Sequence, residues 1–253
     1  MMADEKERPE KNAKEARRAS GSLGKALQRA VGVPAGEQDT RAGRGRSSTL
    51  MNIARQDLLM YLSRNPCCHM RAIARGLGWS MPTVDWHVRK MIGAGIVQEK
   101  RVGRKRIFYI TGQVSGEDQR ACVHLSQEVP RRLMKAVAAT PGLTQGELAV
   151  KIKQKDIGRH LKTLLALGLL AEMRDGRFKR YFLDPSVKNR DRCYIRQAKT
   201  FKKDILRMLR TDGLDAWVMT ARDGLLEIDV SVGGRKRTII LHVTPFAALM
   251  SGR

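Results

Sequence analysis

The 253-residue chain is short of aromatic side chains, at 5%, and short of acids, with 25 Asp and Glu against 49 Lys and Arg. Few aromatics and no RNP-like string argue against base stacking on single strands as the main mode of contact with a nucleic acid. The shortage of acids leaves a formal charge of +24, which calls for a polyanionic partner. No window approaches the roughly 18 uninterrupted apolar residues of a membrane span, and the polar opening MMADEKERPEKN lacks the apolar core of a secretory signal. A soluble, cytoplasmic and nucleoid-associated protein without a membrane partner is therefore expected. The four cysteines, Cys67, Cys68, Cys122 and Cys193, are too scattered for a disulfide framework or a CxxC zinc pattern, and free thiols are the expectation. Phosphate-binding glycine loops, a GxSxG elbow and paired-carboxylate constellations are missing too. No enzyme, no catalytic residue, no cofactor and no metal site are expected.

What is present begins with charge spread along the whole chain, so that no single tail explains it. Residues 1–48 are Lys, Arg, Glu, Ala and Gly with few large apolar side chains, and read as a disordered basic arm, with GSLGKALQRAVGV a helix only on contact with a partner. From Thr49, Leu50, Ile53, Ala54, Leu58, Tyr61 and Leu62 recur at the spacing of one helix face, and Asn65-Pro66 ends that helix. A second helix over about 69–77 would bury Ile73, Ala74 and Leu77. After Gly78, Ser80 is a good N-cap with Pro82 in the first turn of a third helix reaching about Ala94 and burying Val84, Val88, Met91 and Ile92. IVQEKRVGRKRIFYI then reads as a basic hairpin turning at Gly103.

The same order recurs. At an offset of 73, WHVRKMIGAGIVQEKRVGRKRIFYI aligns with RHLKTLLALGLLAEMRDGRFKRYFL, so that His87 meets His160, Gly95 meets Gly168, Glu99 meets Glu172 and Gly103 meets Gly176. Upstream the offset is 75, pairing Leu58 with Leu133, Leu62 with Val137, Pro66 with Pro141 and Ile73 with Leu148. Thr144 and Glu147 form a capping-box pattern at the middle helix of the second copy. Beyond Asp184-Pro185 come a basic amphipathic helix, RCYIRQAKTFKKDILRMLR, and three strand-like stretches separated by hairpin signals. The fold class expected is mainly α with small β wings. Its parts are the arm at 1–48, winged helix-turn-helix domains at 49–112 and 129–186 joined by a linker at 113–128, and a small C-terminal α+β domain at 187–253.

Three helices followed by a basic hairpin are the winged helix-turn-helix plan, in which the third helix enters the DNA major groove and the hairpin reaches the flanking backbone. On Ser80, Thr83-Val84, His87 and Ala94-Gly95-Ile96-Val97, the first copy resembles the ArsR/MarR-like winged-helix superfamily, and the tandem arrangement is similar to two-winged-helix transcriptional regulators common in archaea. The resemblance spans roughly residues 49–184. It implies a regulator that binds double-stranded DNA, with Ser80, Met81, Thr83, Trp86, Arg89 and Lys90 on the reading helix and, in the second copy, Gln154, Lys155, Arg159 and Lys162. Lys100, Arg101, Arg104, Lys105 and Arg106 in one wing, and Arg174, Arg177, Lys179 and Arg180 in the other, are the candidates for phosphate contact. Two reading helices leave room for a monomer spanning adjacent grooves or a homodimer.

Asp85-Trp86-His87 invites a catalytic reading, but about 200° of helical rotation separates Asp85 from His87. His87 falls beside the apolar row and is expected to pack there. Asp85 is left to accept from a base or to hold a neighbouring Arg. PCCHM at 66–70 sits where metal sensors of the resembled family carry a Cys-x-Cys, yet its spacing differs, and two buried thiols are expected. A weakly specific chromatin or RNA-associated protein and a protein-interaction scaffold are the rival readings.

Overall fold

A computed structural model describes residues 49–222, 224–232 and 234–251, all of which lie in one of the two compact units of the chain, 46–253. The expectations for residues 1–48 fall outside the described residues. Asn52 opens the first helix, α1 (Ile53–Arg64), its side chain accepting from the Arg55 amide. His69 caps α2 (Met70–Leu77), and Gly78, in the left-handed region, ends it. Ser80 caps α3 (Met81–Gly93), with Pro82 in its first turn. The hairpin β1 (Val97–Val102) and β2 (Lys105–Ile110) follows, in register from Val97 opposite Ile110 to Val102 opposite Lys105.

Next come α4 (Gln119–Leu125), α5 (Glu128–Ala139), the short β3 (Leu143–Thr144), α6 (Gln145–Lys151), α7 (Gly158–Ala166) and a second hairpin, β4 (Leu170–Asp175) and β5 (Phe178–Leu183). This hairpin pairs Leu170 with Leu183 and Asp175 with Phe178, the first register advanced by 73 residues. Gly103 and Gly176 turn the two hairpins at φ values of 59° and 58°, a conformation that costs glycine little. β3 sets Leu143 opposite Tyr181, and in the first half the isolated bridge between Cys68 and Phe108 occupies the corresponding place. The sequence repeat therefore recurs in the backbone pairing.

The last part consists of α8 (Pro185–Thr211), an antiparallel meander of β6 (Asp215–Arg222), β7 (Leu225–Val232) and β8 (Arg235–His242), and α9 (Pro245–Ser251). It closes both cores. One core joins Leu58, Leu62, Ile73, Val84, Val88 and Phe108 of the first half to Phe201, Ile205 and Leu209 of α8 and to Leu226, Ile228, Ile239 and Leu241 of the meander. The other joins Leu133, Val137, Leu148, Leu161 and Leu164 of the second half to Ile107 and Tyr109 of β2, Cys122 of α4, Tyr194 of α8 and Phe246 of α9. β2 thus buries Phe108 and Ile110 on one face and Ile107 and Tyr109 on the other.

Burying each of these large side chains contributes about 1.5 to 3 kcal/mol, so the seam is a major source of cohesion. Polar contacts fasten it further. The buried Gln113 side chain donates to the Ser63 carbonyl at 2.8 Å and the His242 carbonyl at 3.0 Å, and Arg237 of β8 pairs with Asp57 of α1. Residues 113–128, read as a linker, hold the helix α4 with buried Ala121, Cys122 and Leu125. Residues 187–253, read as a module of their own, complete the first core, because the apolar faces of α8 and the meander have α1 to cover.

Ile53 departs from its expected place. It is 59% exposed, whereas Leu50 is fully buried although it precedes the helix. The cause is the turn before α1, where Gln56 Nε2 donates to the Leu50 carbonyl and the Leu50 amide donates to Asp212, drawing Leu50 inward and leaving the first helical residue outside.

Candidate nucleic-acid interface

The surface of α3 is built from its cap outward. Ser80 Oγ accepts from the Thr83 amide and lies 2.7 Å from Thr83 Oγ1, so two of the expected reading residues also fix the helix start. Val84, Val88 and Met91 are buried, which turns Met81, Trp86, Arg89 and Lys90 outward; all four are exposed and Thr83 is half-buried. Asp85 holds Arg89 at 2.8 Å, the second of the two roles left open for it.

Trp86 is half exposed, and two cations flank its ring: the Arg55 guanidinium 5.2 Å and the Lys90 ammonium 5.8 Å from the centroid. His87 is buried, meeting Trp86 edge-on at 4.8 Å and Trp79 at 5.1 Å. Burial, and then the charge of Arg55, push the His87 imidazole below its ordinary pKa, favouring the neutral ring at pH 7. His87 is therefore part of the packing, as its place beside the apolar row implied. Arg55 was not foreseen. It lies on α1, more than one helix away in sequence, and only the crossing of α1 and α3 brings it to the tryptophan.

In the first hairpin Lys100, Arg101, Arg104, Lys105 and Arg106 are all exposed. Arg106 is bound through two nitrogens to Glu99, at 2.6 and 2.7 Å, which raises the guanidinium pKa and lowers that of the carboxyl. Beside this hairpin an open cleft of about 460 Å³ is lined by Lys100, Arg101, Gln119 and Arg120, with Glu117 also present.

The second half places its candidates differently. Arg159 and Lys162 are exposed on α7, but Gln154 and Lys155, expected on the same helix, precede it. Lys153, with φ of 52°, matches the left-handed Gly78, and the Gln154 amide donates to the Ala149 carbonyl as the Trp79 amide does to Ala74, so the 75-residue offset holds to this turn; Ile157 then precedes the helix without a side-chain cap, and the helix begins only at Gly158. Arg174, Arg177 and Lys179 are exposed on the second hairpin and Arg180 is half-buried. Lys179 pairs with Glu172 at 2.7 Å, Arg180 pairs with Asp175 at 2.5 Å, and the Arg177 guanidinium covers the exposed Phe178 ring at 4.9 Å.

The cysteines of PCCHM point to different cores, Cys68 to the first and Cys67 to the second, where Cys67 meets Cys122 of α4. Burial pushes the Cys68 thiol well up, and the hydrogen bond with Cys67 together with burial does the same for Cys122. Among the described residues no group of three or more His, Cys, Asp and Glu is placed to hold a metal ion, and no helix is long and apolar enough to cross a membrane.

A match to a known protein family agrees with this geometry from α1 to the start of β1. Residues 51–98 match the family profile of winged helix-turn-helix DNA-binding domains. An uncharacterized HTH-type transcriptional regulator of Methanocaldococcus jannaschii is 23% identical over 141 residues, which cover 54% of this chain and 35% of that protein. The chain thus matches about a third of the length of that curated relative. Among solved structures, Lactococcus lactis ZitR in complex with DNA is similar at 16% identity and a TM-score of 0.22, over 60% of this chain and 82% of that one. T. acidophilum IdeR is similar at 11% identity and a TM-score of 0.19, over 83% and 97%. With the helix order, the capped α3 and the paired β1 and β2 in place, the family match identifies residues 51–98 as a winged helix-turn-helix fold.

Proposed function

We propose that the protein is a sequence-specific regulator of transcription that binds double-stranded DNA through two winged helices in tandem. The observation that carries the proposal is the outward face of α3, where Trp86 stands between Arg55 and Lys90 on a helix whose opposite face is locked into the core. Such a face offers donors and an apolar edge to base pairs in the major groove, while the cations of the first hairpin that have no ion pair among the described residues, Lys100, Arg101, Arg104 and Lys105, supply salt-dependent contact with phosphates. In the second half Arg159 and Lys162 are the residues offered to DNA, with Arg174 and Arg177 on the hairpin. Support for a second DNA-contacting unit comes from the shared hairpin register and from the exposure of both α7 cations.

Selection of bound sequences from a random duplex pool tests this. The expected result is a recovered motif in which single base changes cost about 1 to 3 kcal/mol. Trp86→Ala is expected to change preference at one position of the motif, and Arg104→Ala to weaken all duplexes alike. Steep salt dependence without enrichment would replace this reading with a weakly specific chromatin protein, and no duplex binding would replace it with a scaffold.

A further inference from the structure

Helix α8 carries a row of cations that the proposed winged-helix contacts do not use. Lys188, Arg192, Arg196, Lys199, Lys203, Arg207 and Arg210 follow one another at steps of three or four residues, and all seven are exposed. At 100° per residue they fall within an arc of about 100°, opposite the buried row of Val187, Tyr194, Phe201, Ile205 and Leu209. From Lys188 to Arg210 the ridge measures about 33 Å at 1.5 Å per residue.

Most of its cations, like Lys100, Arg101, Arg104 and Lys105 of the first hairpin, have no ion-pair partner among the described residues. Arg207 pairs with Asp204 at 2.8 Å and Arg210 donates to the Ala216 carbonyl, but Lys188, Arg192, Arg196, Lys199 and Lys203 make no ion pair among the described residues. Like charges at this spacing repel along a helix, where alternating Glu and Lys would stabilise it. A ridge that tolerates this repulsion is suited to a ligand that neutralises it.

We infer that the ridge on α8 is a second, sequence-independent surface for the phosphate backbone of double-stranded DNA. Its length is close to one turn of a duplex, about 34 Å, and a rigid ridge laid along a duplex crosses the closely spaced phosphates of both strands. Single strands are the poorer fit, because both aromatic side chains of α8, Tyr194 and Phe201, are buried and the ridge has no ring on which a base could stack. The inference rests on the reading of this chain as a duplex-binding protein. It differs in what it predicts: the ridge adds affinity and salt dependence without sequence preference.

The test uses the full chain and a 30-base-pair duplex of mixed sequence, with affinity measured by fluorescence anisotropy from 50 to 300 mM KCl. In a variant carrying Lys188→Gln, Arg192→Gln, Arg196→Gln, Lys199→Gln and Lys203→Gln, the slope of log affinity against log salt is expected to be shallower by about 4.5, at roughly 0.9 per phosphate contact. The double variant Arg192→Gln and Arg196→Gln is expected to lose about 2 and guards against misfolding of the larger one. Replacing the three lysines by arginine is expected to leave the slope as it was. Glutamine is a good helix former, and the circular dichroism of each variant checks that α8 persists. An unchanged slope with unchanged affinity would overturn the inference, as would a loss confined to a single-stranded RNA of 30 nucleotides. A wild-type chain that binds duplexes with the ridge-dependent slope but recovers no motif would overturn the reading-helix proposal and leave the ridge standing.

Discussion

The two halves of the chain share a hairpin register to the residue and differ in how their helices start and how their hairpins are covered. In the first, Ser80 and Pro82 begin α3 immediately after the turn, giving 13 helical residues; in the second, Ile157 precedes the helix without a side-chain cap and α7 has nine. β2 is buried on both faces by two cores, whereas β5 leaves Phe178 exposed under Arg177. The middle helices reverse this ranking, since α6 has a complete capping box of Thr144 and Glu147 and α2 relies on the His69 side chain. Repeated pairing is thus compatible with unequal helix ends, because caps are local and register is set by alternation and turn position.

The sharpest break between the halves is expected at Gly76. A Cβ there would stand 2.1 Å from Tyr61 Cε2, and the Tyr61 hydroxyl donates to the Ala72 carbonyl at 2.8 Å, so the ring is tethered across the gap. Gly76→Ala is expected to lose about 2 kcal/mol in urea denaturation, overpacking outweighing the helix-propensity gain. Lys151, at the matching place in α6, is exposed, and Lys151→Ala is expected to stay within about 0.5 kcal/mol. Equal losses would mean that the halves are packed alike.

Asp191 tests the joint between them. Burial, reinforced by Asp118, raises its carboxyl to about 6, and its Oδ1 has no hydrogen-bond partner among the described residues. The folded value lies above the unfolded one of about 3.9, so the charge opposes folding; the penalty is absent below about pH 4 and grows as pH rises through 6. Asp191→Asn is expected to raise stability at pH 7 by about 1 to 2 kcal/mol, discounted for partial exposure, and to have little effect at pH 4. A gain of equal size at both pH values would exclude ionisation as its source.

Smaller effects belong to the helix starts. Ser80→Ala is expected to cost about 1 kcal/mol and to speed amide exchange in the first turn of α3. Lys153→Gly, at a left-handed position, is expected to gain about 0.5 kcal/mol, seen as a higher Tm. If Lys153→Gly lowers the Tm, the left-handed backbone at this turn, which Gly78 occupies in the first half, is not a source of strain.

Much of this was legible before folding was considered. Ser80 with Pro82, Thr144 with Glu147, and the two hairpin glycines are local signals, and each marks an element the structure contains. The run IFYI was read as part of a basic hairpin, and its burial on both faces emerged only from the two cores that meet on β2. Gln154 and Lys155 were misplaced because the repeat alignment carried the helix into the turn before Gly158, where the second copy is two residues shorter.

The interface divides in the same way. Trp86, Arg89 and Lys90 follow from helical periodicity, and the ridge of α8 from steps of three and four along one segment. Arg55 over Trp86, Asp85 on Arg89, and Glu99 on Arg106 depend on side chains meeting, and they decide which cations are free.

By itself the sequence determined the order of elements, the repeat, the turns and the basic faces, because caps, alternation and 3.6-residue periodicity act over a few residues. Only the tertiary structure decided that residues 113–128 hold a helix with buried Ala121, Cys122 and Leu125, that the C-terminal meander completes the first core, and that α8 serves both cores. The physical reason is that an apolar face specifies that it must be covered and leaves the identity of its cover to whichever distant segment fits.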